Sequence, residues 1–379
     1  MSGKRFGWPQ VFASLLLVPF VLQSLWVIHR TPLRRAEAAY AQAGLDQLAG
    51  RTWPRDAGAL PVPAVVAAAP LIVSRWLLPP LPPEGLKWLL RLPFVGIGWL
   101  LGASIWYVAR RLYGNAGGYT ALTLYCFSPA VFFPWPGPLL TGSLGIFGTI
   151  FVAIAAAHTL YVPRVATISE LRSRWRRIIL LGLAIALAIG SGLWAISLIA
   201  LSFAFMAYLV PERWRASLGL VLSSCAVAAL LLLGTVAFRP RVLAAAIAQW
   251  RFLPFSNELL RAFLTGIRSP GSAILLVLAA IALVAYLAWN RCRYFGNTAP
   301  LVALLVVAAL GLGAFADVFV GPFPLRATPF LYVFIGGVFA DLLESRWRNA
   351  FRWLLLGMLV AYATVAALTV ARMASGTLY

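Results

Sequence analysis

Carboxylates are scarce in this chain. Ten aspartates and glutamates stand against 31 lysines and arginines in 379 residues, and histidine occurs only as His29 and His158. Any chemistry that needs several acidic groups must draw on those ten. Cysteine is almost as rare: Cys126, Cys225 and Cys292 lie within or beside apolar runs with no CxxC pair. Neither a disulfide framework nor a zinc site is written in such spacings. Among the cations lysine is nearly missing, with only Lys4 and Lys87, so arginine carries the net charge of +21. A basic excess of this size occurs in nucleic-acid binders, but here the arginines fall in short clusters between apolar spans. That pattern excludes nucleic acid as a partner and fits a membrane protein.

Apolar residues are abundant: 62% of the chain is hydrophobic, 11% is charged, and mean hydropathy is +0.89. Soluble domains are usually about 45–50% apolar and about 25% charged. The expected fold class is therefore all-α, a polytopic integral membrane protein. A crossing helix needs about 20 apolar residues, and arginine collects in the short cytoplasmic loops. These rules place spans at Trp8 to Ile28, Leu89 to Ala109, Tyr119 to Phe133 and Leu140 to Leu160. The run Ile178 to Val210 divides at Gly190-Ser191-Gly192 into two helices. Later spans are Leu218 to Phe238, Gly271 to Trp289, Ala299 to Phe319, Leu325 to Leu342 and Phe351 to Val370. The sum is about eleven crossings in a bacterial-type inner membrane, with a cytoplasmic N-terminus and a retained first helix.

The chain is expected to be one membrane domain, 1–379, with an N-terminal module over 1–161 and C-terminal helices over 162–379. Two segments outside the membrane are long enough to build something, residues 29–88 and 239–270, both assigned to the outer face. The first contains a proline-bounded apolar piece, Val62 to Leu78, read as a helix dipping into the outer leaflet. The second carries Trp250, Phe252, Phe255, Leu259, Leu260 and Phe263 and reads as an interfacial amphipathic piece.

The first outer loop is where chemistry is sought. Arg30, Arg34 and Arg35 precede Glu37 and Tyr40, which lie three apart and so share a helix face. A carboxylate beside an arginine cluster suits a general base or the orientation of a phosphate leaving group. An interfacial helix whose arginines meet anionic headgroups has the same composition. Further along, Arg326 between Pro324 and Pro329 has the character of a phosphate clamp or of a side chain snorkelling to headgroups. Asp317 near the outer end of its span is an ionisable residue close to the membrane interior, which is costly and commonly functional, with a structural pair to Arg326 as the alternative. Glu258 and Arg261 form an ordinary helical pair, His158 is interfacial, and Phe132, Phe133 and Trp135 form a headgroup-level belt.

The run Glu37-Ala38-Ala39-Tyr40-Ala41 resembles the "D-E-A-x-Y-A" opening of the first outer loop in the GT-C superfamily of membrane glycosyltransferases. The nearest branch is similar to the protein O-mannosyltransferase and aminoarabinose transferase group. The likeness continues through Leu89-Leu90-Arg91-Leu92-Pro93, Tyr107 to Gly114 and Ala121 to Pro129, and returns at Pro324 to Pro329. It implies a polyprenyl-phosphate-linked sugar as donor at the outer face, with no cofactor. It also implies Glu37 as catalytic base, and Arg34, Arg35, Tyr40 and Arg326 as substrate-binding residues.

The pattern departs from the family at two acids. Ala36 and Gly142 stand where the resemblance calls for catalytic Asp, and Val62 stands where a basic residue commonly precedes the proline. Three readings follow. Glu37 substitutes as base; the chain is a catalytically inactive GT-C-fold subunit that binds lipid or a partner membrane protein; or the acid lies elsewhere, at Asp46, Asp56 or Asp317. A transporter ranks third among functions, because neither an inverted repeat nor paired broken helices are visible.

Overall fold

The computed structural model describes residues 7–51, 61–77, 82–132, 137–160, 168–192, 195–248, 271–288, 319–320 and 323–375. The expected span at Ala299 to Phe319, the aromatic piece from Trp250 to Phe263, and Asp56, Phe133, Trp135, Glu258, Arg261 and Asp317 lie outside these residues, as does the His158 side chain. The described chain is helical apart from a two-residue antiparallel ladder, β1 (Phe319–Val320) with β2 (Phe323–Pro324).

The helices are α1 (Trp8–Arg30), α2 (Arg35–Leu48), α3 (Pro61–Leu77), α4 (Pro83–Cys126), α5 (Gly137–Leu160) and α6 (Ile168–Gly190). They continue as α7 (Ile196–Leu209), α8 (Trp214–Thr235), α9 (Pro240–Ala248), α10 (Ser272–Ala288), α11 (Thr328–Leu342) and α12 (Arg348–Ala374). Among the described residues five helical stretches are long and apolar enough to cross a membrane, in α1, α4, α5, α8 and α12. Shorter apolar helices, at α3, α7, α10 and α11, do not reach that length. The chain is an integral membrane protein; the larger count of about eleven crossings is not reached by these helices.

Two compact units are formed, one from Met1–Thr31, Gly98–Pro136 and Phe252–Tyr379, the other from Pro32–Ile97 and Gly137–Arg251. In the first, α4 is not one rod. Gly114 takes φ +78° and ψ −172°, a conformation glycine reaches without Cβ strain, and the helix folds back on itself there. The return is tight: the Tyr125 hydroxyl donates to the Gly98 carbonyl at 2.7 Å, and Gly118 lies against Trp106 and Arg110. This is the separation expected between the spans at Leu89 to Ala109 and Tyr119 to Phe133. Beyond the turn, Gly117 meets Gly336 of α11 so closely that a Cβ on Gly336 would stand 2.6 Å from the Gly117 carbonyl oxygen. Small residues permit such backbone approach where lipid offers no hydrophobic drive to association. Helix α1 buries Ala13, Leu17, Phe20 and Val27, and exposes Leu15, Val18, Leu22 and Trp26, an apolar surface suited to lipid.

The second unit packs α5, α6, α7 and α8 around Ala153, Ala156, Leu181, Ile185, Met206 and Val221, with Val62 of α3 among them. Gly145 brings α5 onto the backbone of α6 at Ala188. The break between α6 and α7 falls after Gly190, where a side chain would collide with Val62.

Candidate functional site in the first loop

Helix α2 forms because Arg35–Leu48 is rich in alanine with leucine, glutamate and glutamine, all strong helix formers. One face is inward: Glu37, Tyr40, Ala41 and Gln47 are buried, at the spacing of a single helical stripe. Gly44 on the same stripe lets α2 lie against α3, since a Cβ there would stand 2.1 Å from the Ala64 carbonyl oxygen. At its C-terminus, Gly50 adopts φ +74° and Arg239 donates from Nη1 to the Ala49 carbonyl at 2.8 Å. A guanidinium at the last carbonyls of a helix complements their partial negative charge. Gln47 donates from Nε2 to the carbonyls of Thr235 and Pro61 at 3.0 and 3.3 Å. The connector that supplies Thr235 and Arg239 is strained, with Ala237 and Phe238 both at positive φ.

Glu37 is 2% exposed and does not stand alone. Arg91 of α4 grips it in a two-point fork, Nε to Oε2 at 2.8 Å and Nη2 to Oε1 at 2.9 Å, and Nη2 also donates to the Pro32 carbonyl at 2.8 Å. Both carboxylate oxygens are thus engaged by one cation, in the bidentate geometry that gives charge-assisted hydrogen bonds their strength and direction. The pair fixes where the chain enters α2. A base must reach a substrate proton within about 2.6–3.2 Å, and in this arrangement the donors nearest the carboxylate are those of Arg91.

The other expected residues are placed as follows. Arg34 and Arg35 are exposed at the start of α2, with the Arg34 carbonyl accepting from the amides of Glu37 and Ala38. Tyr40 is buried on the inner stripe. Asp46 accepts from Arg51 at 3.0 Å and from Gln42 at 3.2 Å near the surface. Gly142 is a buried residue inside α5 rather than in a loop.

Arg326 belongs to the other unit, in the turn between β2 and α11, and is 8% exposed. In that unit Ser128, Thr328, Tyr332 and Tyr362 are buried together, and Tyr332 lies within interaction range of the other three hydroxyls. The Thr328 hydroxyl donates to the Leu325 carbonyl at 2.7 Å. By contrast the hydroxyls of Ser128, Tyr332 and Tyr362 make no well-aligned hydrogen bond among the described residues.

Sequence reasoning missed Arg91, Gln47 and the hydroxyl cluster. The signal for Arg91 was present: an arginine amid Leu89, Leu90 and Leu92 sits in an apolar run, where an ionisable group needs a partner.

With this geometry in view, the comparisons are informative about fold. No protein-family model matches the chain, and no curated protein matches it significantly in sequence. Its structure is similar to that of the archaeal oligosaccharyltransferase AglB from Archaeoglobus fulgidus, solved in complex with an inhibitory peptide and a dolichol-phosphate. The TM-score is 0.55 at 12% identity, over 96% of this chain and 56% of that one. The chain therefore spans little more than half the length of that protein. The likeness is one of fold.

Proposed function

We propose that this chain is a GT-C-like membrane glycosyltransferase that moves a sugar from a polyprenyl-phosphate donor at the outer face of a bacterial-type inner membrane. The observation that carries this reading is the fold likeness to a glycosyltransferase over 96% of the chain. That neighbour was solved with a dolichol-phosphate, which makes a lipid-linked phosphate the natural first ligand to test. In this reading the chain crosses the membrane about eleven times, with its N-terminus cytoplasmic. Arg34 and Arg35, exposed at the start of α2, hold the phosphate, as guanidinium groups do well, and the buried Arg326 of the other unit is a further substrate-binding candidate to be tested on its own. In this reading Tyr40, on the buried stripe of α2, is a further substrate-binding residue.

Glu37 is the point at which a second reading gains ground. For it to act as base the Arg91 fork has to open, because both oxygens are engaged. As built, Glu37 is a positioning residue that anchors the loop. That observation favours a catalytically inactive GT-C-fold subunit that binds the lipid or a partner membrane protein.

The test uses the purified full chain and undecaprenyl phosphate. Native mass spectrometry is expected to show the lipid retained, and Arg34→Ala with Arg35→Ala to weaken retention about tenfold, as loss of two surface arginines should. No retention by the unaltered chain would overturn the reading. A panel of undecaprenyl-phosphate hexoses then separates the alternatives: release or transfer of sugar means an enzyme, and binding without turnover means the subunit.

A further inference from the structure

At the junction of α11 and α12 the surface opens into a cleft of about 600 Å³, lined by Leu343, Arg348, Asn349, Arg352, Leu355 and Leu356. Five of these six come from one helix. Positions 348, 349, 352, 355 and 356 recur at the spacing of a single α-helical face. That face is graded: two guanidinium groups and an amide occupy its first five residues, and leucines follow. Among the described residues neither Arg348 nor Arg352 has a carboxylate within ion-pair distance. Two exposed tryptophans flank the cleft in sequence, Trp347 and Trp353, with the Arg346 guanidinium 5.9 Å from the Trp347 ring centroid. Exposed tryptophan of this kind marks the level of the headgroups.

We propose that this cleft binds one anionic phospholipid, with its phosphate between Arg348 and Arg352 and the start of an acyl chain along Leu355 and Leu356. A soluble phosphate would leave the leucine end of the face unused. A zwitterionic lipid would present an ammonium group to two arginines. A membrane-embedded anion with an apolar tail fits the whole gradient, and basic clefts between membrane helices are suited to such headgroups. None of its lining residues is among those assigned above to the lipid-linked sugar.

The experiment is native mass spectrometry of the full chain in mild detergent, titrated with dioleoylphosphatidylglycerol or dioleoylphosphatidylcholine. One phosphatidylglycerol should be retained above the random adduct level and phosphatidylcholine should not. Arg348→Gln with Arg352→Gln should reduce that retention about tenfold. Arg174→Gln with Arg176→Gln, an equal charge loss on α6, should leave it within about twofold. Leu356→Trp, at a position 42% exposed and so tolerant of change, fills the apolar end and should also displace the lipid. Equal loss in both arginine pairs would reduce the effect to net charge and overturn the proposal. So would equal retention of the two lipids, or competition by glycerol phosphate at the lipid's own concentration.

Discussion

The first-loop helix α2 and the entrance to α11 both bring buried polar side chains into a mostly apolar protein, and they use them in opposite ways. Around α2 most of the hydrogen-bonding capacity is consumed: Glu37 gives both oxygens to Arg91, Arg91 gives a further proton to Pro32, and the Gln47 amide nitrogen joins two carbonyls. Only the Gln47 Oε1 is left without a partner among the described side chains of this stripe. At the entrance to α11, Ser128, Tyr332 and Tyr362 are buried within interaction range of one another, and none of their hydroxyls makes a well-aligned hydrogen bond among the described residues. A region that has consumed its donors and acceptors works as a fastener. One that retains them has capacity for a ligand group, because a buried donor without an acceptor is costly. The contrast weighs against Glu37 as a ready base and directs attention to the end of the chain that holds Arg326.

The strongest test of the fastener is to remove one half of it. Arg91→Gln leaves the Glu37 carboxylate buried without its cation, and should cost about 3–5 kcal/mol. Thermal unfolding in detergent, followed by size-exclusion chromatography, should show a large drop in midpoint and in yield. Glu37→Gln combined with Arg91→Met removes both charges and should recover most of that loss, since an apolar replacement of a buried pair is often neutral. If the double variant recovers stability and binds undecaprenyl phosphate normally, the pair is structural. If the single Glu37→Gln variant melts like the unaltered chain, the fastener reading of this region fails.

A glycine in each region gives the next largest effects. Gly44→Ala would push a methyl to 2.1 Å from the Ala64 carbonyl oxygen, and Gly336→Ala one to 2.6 Å from that of Gly117. Both partners are backbone, so the helices themselves must separate, at about 1–3 kcal/mol each. Gly44→Ala should be the worse of the two, because its clash is closer. The same melting assay ranks them, and a reversed order would show that α2 is less firmly seated than its contacts indicate.

Smaller changes are expected from the hydroxyls. Tyr332→Phe and Tyr362→Phe delete groups without aligned partners, so each should shift stability by under about 1 kcal/mol, and a gain is the more natural sign. A loss of several times that would reveal hydrogen bonds that the contrast between the regions does not admit. Retention of undecaprenyl phosphate lost from Tyr332→Phe at an unchanged melting point would place the cluster in the binding site.

The helices were legible in the sequence because lipid imposes a strong rule: long apolar runs have to be helical. The starts of α1, α5 and α8, the division of Ile178 to Val210 and the fold-back near Arg110-Arg111 all follow from apolar length and its interruptions. What was not legible is pairing. Glu37 and Arg91 are 54 positions apart, and no local pattern links residues on different helices. Reading Glu37 beside Arg34 and Arg35 credited its charge to its sequence neighbours, whereas the fold supplies a cation from α4. Gly142 was hidden for a related reason: a position expected in a loop from resemblance is buried one turn inside α5, where the run Leu139 to Thr149 simply continues the helix.

The smallest expected effect lies at the solvent end of α2, and it isolates what burial contributes. Asp46 and Arg51 make an ion pair at 3.0 Å, close to the distances in the Glu37 fork, but the Arg51 side chain is 70% exposed. Water and salt screen such a pair, and holding two mobile side chains together costs entropy, so its worth is about 0–1 kcal/mol. Asp46→Asn should therefore move the melting midpoint by a degree or so at most. Added salt should erase even that, while the Arg91→Gln deficit persists, because a buried pair is screened far less. Two ion pairs anchored on one helix, alike in length and opposite in exposure, then differ in effect through burial and through the second arm of the fork. A deficit of equal size at Asp46 would mean that the charge pattern of α2, rather than the buried fork, holds the first loop in place.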